Sequence, residues 1–227
     1  MQPARNLAGD FWRLEGKGNG QMRMASLKST ATAIVTICGI VVVVSALTTP
    51  ALPQTAAQEL VLVLDPSQCK VHFTVDATLH TVHGTFNLKR GTVQFDTESG
   101  KAGGEIVVYA TSGDSGNSSR DARMHKEILE TPKYPDAVFR PLQVEGKLAR
   151  AGTSDVRLHG MISLHGYEHE IVVPVHAELA ADHWTGKAMF DVPYIQWGMK
   201  DPSNWLLKVK PVVNVEVELA GPTKSQN

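Results

Sequence analysis

The side chains that could do chemistry in this sequence are a serine in a glycine-rich loop, nine histidines and a few clustered carboxylates. The loop Gly113-Asp114-Ser115-Gly116 has the residue types of the nucleophile loop of a trypsin-like serine protease. A nucleophilic serine needs a base within hydrogen-bond reach and a third group that orients the base. No His-Cys block of that protease family precedes the loop, and turns and helix starts also prefer these residue types. We therefore expect a loop that caps a helix.

All nine histidines lie after residue 57. A metal site needs three or four converging ligands, and the sequence has no His-Glu-x-x-His motif and no paired-cysteine spacing. His72, His83, His159 and His165 alternate with apolar residues, so on strands we expect them to face solvent. Surface histidines are the preferred interpretation, and no metal is predicted. A metal-binding, haem-binding or enzymatic barrel that uses the histidines is the alternative function.

The carboxylates Asp76, Glu168 and Glu170 could form a pair for acid/base chemistry. Glu168 and Glu170 are two residues apart, so on a strand they share one face. Nothing else in the sequence suggests a reacting centre, and a solvated strand face is the preferred interpretation. We therefore predict no catalytic residue, no cofactor and no enzymatic activity.

The elements that position these residues are strands, because apolar and polar residues alternate through most of the chain from Leu60 onward. The alternation is clearest in residues 71–75, 82–86, 93–95, 156–164, 171–175 and 209–219, and residues 104–111, 138–148 and 184–192 are strand-like too. About eight to ten strands with short turns predict an all-β fold. We expect an antiparallel barrel of about eight strands, because closure removes unpaired edges.

Residues 115–130 depart from this alternation. They place Ala122, Met124 and Ile128 among charged residues and end before Pro132. This spacing predicts one short α-helix, which we expect as a lid or plug near a barrel mouth. An eight-stranded barrel has an interior that its own side chains fill or that holds one small ligand.

Five sequence blocks, in order, resemble the YceI-like family of polyisoprenoid-binding barrels. The blocks are Leu64-Asp65-Pro66-Ser67 with VHFTVDATLHTVHGTF (71–86) and GTVQFD (91–96), SSRDARMH (118–125), Tyr134-Pro135 leading to Phe139, LHGMISLHGYEHEIVVPV (158–175), and a final amphipathic strand ending near Leu219. The resemblance covers about residues 60–220. It implies an extended lipocalin-like antiparallel barrel that holds a long isoprenoid or similar amphiphile, export to the periplasm as for many members, and no catalytic residue.

Two segments differ from the commoner family pattern. Met124-His125 stands where His-Leu is usual, and YIQWGMKDPSNW (194–205) replaces the frequent Asp-Phe-Gly turn. Both lie near the expected mouth of the barrel. They therefore bear on the identity of the ligand more than on the fold.

The inward-facing apolar residues could be a filled core, as in an interaction module without a ligand, or the wall of a cavity. The resemblance favours a cavity, and the lining that we predict is Phe73, Val75, Phe86, Phe95, Val108, Leu158, Ile162 and Phe190. Trp197 and Trp205 are expected at its mouth, because tryptophan combines an apolar body with an N–H donor. The expected function is non-catalytic sequestration or transport of a long-chain isoprenoid or quinone-type amphiphile.

The first 57 residues have the features of an N-terminal extension followed by a secretory signal peptide. Arg23 and Lys28 precede 30 residues without a charge, 29–58, and cleavage fits best near Ala51 or Ala57. The exported domain is then residues 58–227, in the periplasm or outside the cell. The alternative is membrane anchoring by an uncleaved segment, since residues 31–47 with their flanks approach the ~20 apolar residues that span a bilayer.

The exported domain is mildly acidic, with 17 Lys and Arg against 21 Asp and Glu in residues 58–227. Without a basic run it has no face for phosphate backbones, so nucleic acid is not an expected partner. The expected partners are the amphiphile and, in transient contact, a membrane. Cys69 is the single cysteine of this domain, so no internal disulfide is predicted, and no oligomeric state is assigned.

Overall fold

The computed structural model describes residues 59–224, and most of that part of the chain is β-strand. The predicted signal segment lies outside the described residues. The strands are β1 (Glu59–Val63), β2 (Lys70–Asp76), β3 (Thr81–Asp96), β4 (Ala102–Asp114), β5 (Asp136–Glu145), β6 (Gly152–Leu164), β7 (Tyr167–Leu179), β8 (His183–Val192) and β9 (Val213–Lys224).

The strands form one antiparallel sheet in the order β1-β3-β2-β9-β8-β7-β6-β5-β4. Pairing of β3 with β4 closes this sheet into a barrel. β1 and β2 lie end to end between β3 and β9, because β1 pairs with residues 92–96 of β3 and β2 pairs with residues 81–86. The nine strands of residues 59–224 therefore fill eight positions around the barrel, which confirms the predicted fold.

The break between β1 and β2 has a local cause at Asp65. Its carboxylate accepts a hydrogen bond from the Ser67 amide at 2.9 Å, and its own amide donates to the Ala220 carbonyl of β9 at 2.9 Å. A Cβ on Gly221 would overlap the Val63 carbonyl oxygen, so a glycine is needed for this close backbone approach. Together these contacts let β1 and β2 follow one another without opening the barrel.

The predicted helix is shorter than the pattern indicated. It consists of α1 (Ser118–Arg123), which continues as a single π-helical turn over Met124–Ile128. Asn117 caps it, since its side-chain oxygen accepts a hydrogen bond from the Arg120 amide at 3.0 Å. In the part of the chain that the structure describes, no helix is long and apolar enough to cross a membrane.

Ser115 belongs to the support of this helix. Its amide and hydroxyl donate to the Asp121 carboxylate, and the Arg120 guanidinium donates to the Ser115 hydroxyl and carbonyl, both at 2.7 Å. Met124 then packs on β4, where the missing Cβ of Gly113 makes room for it and for Phe86. The glycine-rich loop is thus the expected structural link to the helix, although Asn117 provides the cap.

Candidate ligand-binding cavity

The inward-facing side chains of the barrel enclose a cavity of about 640 Å³. Alternate residues of each strand point inward, and nearly all of them are aliphatic or aromatic. Eight of the residues predicted from the sequence line this cavity: Phe73, Val75, Phe86, Phe95, Val108, Leu158, Ile162 and Phe190. The structure therefore brings these eight together, while their part in ligand binding stays a prediction.

Two aromatic rings of the lining lie against glycines of the neighbouring strand. Phe73 pairs with Gly84, and a Cβ on Gly84 would overlap the Phe73 ring. The Phe73 and Phe86 ring centroids are 5.2 Å apart with a tilt of 44°. Phe139 lies over Gly160 of β6 in the same way. These rings occupy the space that side chains on the glycines would fill, so they line the wall of the cavity.

Trp184 forms part of the buried end of the cavity, and the sequence analysis did not select it. Its side chain is only 4% exposed and packs in the core cluster that includes Leu62 and Phe95. Its indole Nε1 donates a hydrogen bond to the Val63 carbonyl at 3.2 Å, which satisfies its polar atom. Strand alternation could have identified Trp184, because it lies on the same face of β8 as residues 186 and 188, which also line the cavity.

The other end of the cavity reaches solvent beside the helix, and we call it the mouth. Its lining includes exposed residues, among them His80, Ser119 and Arg123. Ser115 and Arg120 line the cavity as well, whereas no Asp or Glu does so among the described residues. The polar groups of an otherwise apolar lining therefore gather at the mouth.

Tyr194 is a further lining residue that the sequence analysis missed. It follows β8, is only 5% exposed, and packs with Val192 and Met199. Its hydroxyl is buried and has no hydrogen-bond partner among the described residues. Burial, with a smaller contribution from the charge of Asp201, raises the pKa of Tyr194 to about 12. The hydroxyl is therefore protonated at neutral pH.

The two tryptophans expected at the mouth do not line the cavity. The Trp197 ring stacks on the His169 ring with 4.2 Å between centroids and 4° between planes, and burial lowers the pKa of His169. Trp205 is 90% exposed on the loop between β8 and β9. Both tryptophans belong to this irregular loop, whose conformation strand alternation cannot predict.

The histidines occupy several environments. His72 and His83 are exposed as expected, and His159 lies 2.9 Å from a Glu145 oxygen. The expectation that His165 faces solvent is wrong, because its side chain is only 12% exposed and lies against Tyr134. His165 sits in the β6–β7 turn with a φ of 52°, so strand alternation does not apply to it.

The chemistry-bearing groups do not converge in the described residues. No group of three or more His, Cys, Asp or Glu side chains there could hold a metal ion. The Asp76 carboxylate accepts from Lys210 at 2.7 Å, Glu168 lies 3.4 Å from Arg140, and Glu170 is exposed. The three carboxylates considered above thus lie on the surface, as expected.

Comparison with known proteins identifies a family and several solved structures with a similar fold. The model of the YceI-like domain matches residues 62–220. A polyisoprenoid-binding domain from Saccharophagus degradans, implicated in plant cell wall breakdown, is 17% identical with a TM-score of 0.55, covering 71% of this chain and 98% of its own. BcnA of Burkholderia cenocepacia is 15% identical with a TM-score of 0.57, covering 70% and 99%. A search of curated protein sequences found no match.

Proposed function

The chain belongs to the YceI-like family, and we propose that it is a non-catalytic binding protein that holds a long-chain isoprenoid or similar amphiphile in its barrel. The observation that carries this proposal is the apolar cavity of about 640 Å³ inside the closed sheet. The rings of Phe73 and Phe139 lie against glycines of the wall, which supports an open lumen over a filled core. The polyisoprenoid-binding domain with a similar fold supports the same ligand class.

The binding energy comes from removing the chain of the ligand from water. Burial of each CH2 group contributes about 0.8 kcal/mol, so a long hydrocarbon chain binds without specific hydrogen bonds along its length. Affinity should therefore rise with chain length until the cavity is filled. A quinone with an isoprenoid tail fits this description as well as a simple polyprenyl chain does.

The signal-like sequence before residue 58 supports a carrier that acts outside the cytoplasm, in the periplasm or in the medium. A carrier must also exchange its ligand with a membrane. Leu79, Trp205 and Leu206 are 70%, 90% and 61% exposed, and we call these three residues the apolar rim. Their two loops are joined by a hydrogen bond from the Thr78 amide to the Lys208 carbonyl.

The apolar rim continues into the cavity. Leu207 and Val209, which follow Leu206 on the same loop, line the lumen. Exposed tryptophan and leucine side chains favour the membrane–water interface. The rim is therefore the part of the surface suited to transient membrane contact during loading and release.

The proposal is tested by identifying a ligand and reading its binding inside the barrel. Protein purified from a lysate that contains membranes is examined by native mass spectrometry and lipid extraction. Farnesol and longer prenols are then titrated into the variant W12F/W197F/W205F, in which Trp184 is the remaining tryptophan. A co-purified amphiphile and a change in Trp184 emission are expected. No bound amphiphile together with unchanged emission would refute the carrier function.

A further inference from the structure

Two arginines line the mouth of the cavity, where a bound amphiphile would place its head group. Arg120 and Arg123 both line the cavity, and no carboxylate lines it among the described residues. An arginine fork matches the oxygens of a carboxylate or phosphate. The lining is therefore complementary to an anion at this end and to a hydrocarbon chain elsewhere.

The two arginines differ in how they are held. Arg120 is fixed by its hydrogen bonds to Ser115, through Nε and one terminal nitrogen. Arg123 lies 3.6 Å from Glu127 through its Nε. The same Glu127 oxygen accepts a closer hydrogen bond from Lys200, at 2.7 Å, and Lys200 is the main cause of the lowered pKa of Glu127. The Glu127 carboxylate therefore has Lys200 as its closer partner. The terminal nitrogens of the Arg123 guanidinium can then bind a ligand.

Tyr194 adds an independent observation. A buried hydroxyl without a hydrogen bond is unfavourable and needs an explanation. Tyr194 lines the cavity, and its core cluster is packed against Ile128, one turn beyond Arg123 on the helical segment. The hydroxyl and the guanidinium therefore belong to the same end of the cavity. A ligand oxygen at the mouth would accept the hydrogen bond that Tyr194 lacks.

We propose that the mouth binds an anionic head group, a phosphate or carboxylate on the amphiphile, with Arg123 and Arg120 supplying charge and Tyr194 donating a hydrogen bond. This assignment rests on the proposed function, because the apolar chain of the same ligand occupies the lumen. It selects ionised amphiphiles over neutral ones of the same length.

The test compares farnesyl phosphate with farnesol, which have the same chain and different head groups. Wild-type full-length protein should bind farnesyl phosphate at least about tenfold more tightly, as expected for hydrogen bonds to a charged group. R123Q should weaken farnesyl phosphate binding much more than farnesol binding and so remove most of this preference. K126Q is the matched control, because Lys126 is exposed on the same helical segment and does not line the cavity.

Tyr194 is tested separately with Y194F. Affinity for farnesyl phosphate should fall about tenfold, while the melting temperature of the ligand-free protein stays the same or rises, since an unsatisfied hydroxyl has been removed. A purely structural tyrosine would instead lower the melting temperature. Y167F serves as the control, because Tyr167 is exposed and outside the cavity.

The outcomes separate the head-group assignment from the carrier function. Equal affinities for farnesol and farnesyl phosphate, or an R123Q variant that weakens both alike, would overturn the head-group site and leave the carrier standing. Inorganic phosphate that binds as tightly as farnesyl phosphate would also overturn it, because the anion would then not be part of a lipid. Failure of both farnesyl ligands and of the longer prenols to bind would refute the carrier function itself.

Discussion

Phe86 distinguishes a cavity wall from a packed core. Its ring lies 5.2 Å from that of Phe73 and lines the lumen. We expect Phe86→Leu to lower the free energy of unfolding of the ligand-free protein by about 1 kcal/mol or less, because the change enlarges an existing cavity. The preferred prenol length should change instead. Urea denaturation and titration with prenols of graded length measure the two effects.

Phe95→Leu is the control for this comparison. Phe95 also lines the cavity, but it lies in the closely packed cluster at the buried end and is only 8% exposed, so the same substitution there should cost about 1–2 kcal/mol through the space it leaves. A Phe86→Leu variant as strongly destabilised as Phe95→Leu, with unaltered length preference, would favour a filled core at this position.

His169 provides a pH-dependent stability difference. Burial lowers its pKa below the ordinary 6.5, so the unfolded chain takes up this proton at a higher pH than the folded chain does. The neutral, partly buried His169 therefore contributes to the free energy of unfolding above about pH 6.5, and this contribution is lost as the pH falls. Compared with H169Q, the wild type should lose more stability between pH 7.5 and pH 5. An NMR titration that places the His169 midpoint at or above 6.5 would contradict the prediction.

At the scale of elements, the sequence predicted the features that depend only on residues close together in the chain. Alternation identified the strands and the inward phase of eight lining residues, because both follow from a period of two. It could not predict that β1 and β2 share one barrel position, since that depends on the approach of Gly221 to Val63 across the sheet. Tyr194 could not be predicted as a lining residue, because it lies beyond the end of β8 in a loop, where strand alternation does not indicate which side chains face inward.

The loop between β8 and β9 carries the next prediction. Replacing Trp205 and Leu206 with serine should slow the transfer of a bound prenol to phosphatidylcholine vesicles by at least about tenfold, because even partial insertion of these two side chains contributes more than about 1.4 kcal/mol. Prenol affinity in solution should not change. The transfer should also depend little on salt, because the nearby Lys200 and Lys210 are already paired with carboxylates.

Leu142→Ser is the matched control for the rim. Leu142 is also an exposed leucine, but it lies on β5 and does not line the cavity. Its replacement should leave vesicle transfer unchanged. Equal transfer rates for wild type and the Trp205/Leu206 variant would show that the rim does not contact the membrane during exchange.

At the scale of the molecule, closure explains how the protein combines an open lumen with stability. Pairing of β3 with β4 removes both sheet edges, so strand pairing continues around the whole circumference of the cavity. The core cluster with Trp184 fills the buried end, and the polar groups gather at the mouth. One end of the barrel therefore contributes to stability while the other end admits the ligand.

The positions of the strand pairings predict which part of the chain folds independently. Every strand partner in the described barrel lies between residues 59 and 224, so residues 58–227 alone should fold. We expect a circular dichroism spectrum dominated by β-structure and one cooperative unfolding transition at the same midpoint as the full chain. A prenol at 100 times its Kd should then add about 2.7 kcal/mol to the free energy of unfolding. A helix-dominated spectrum, or a midpoint well below that of the full chain, would show that the fold needs residues before 58.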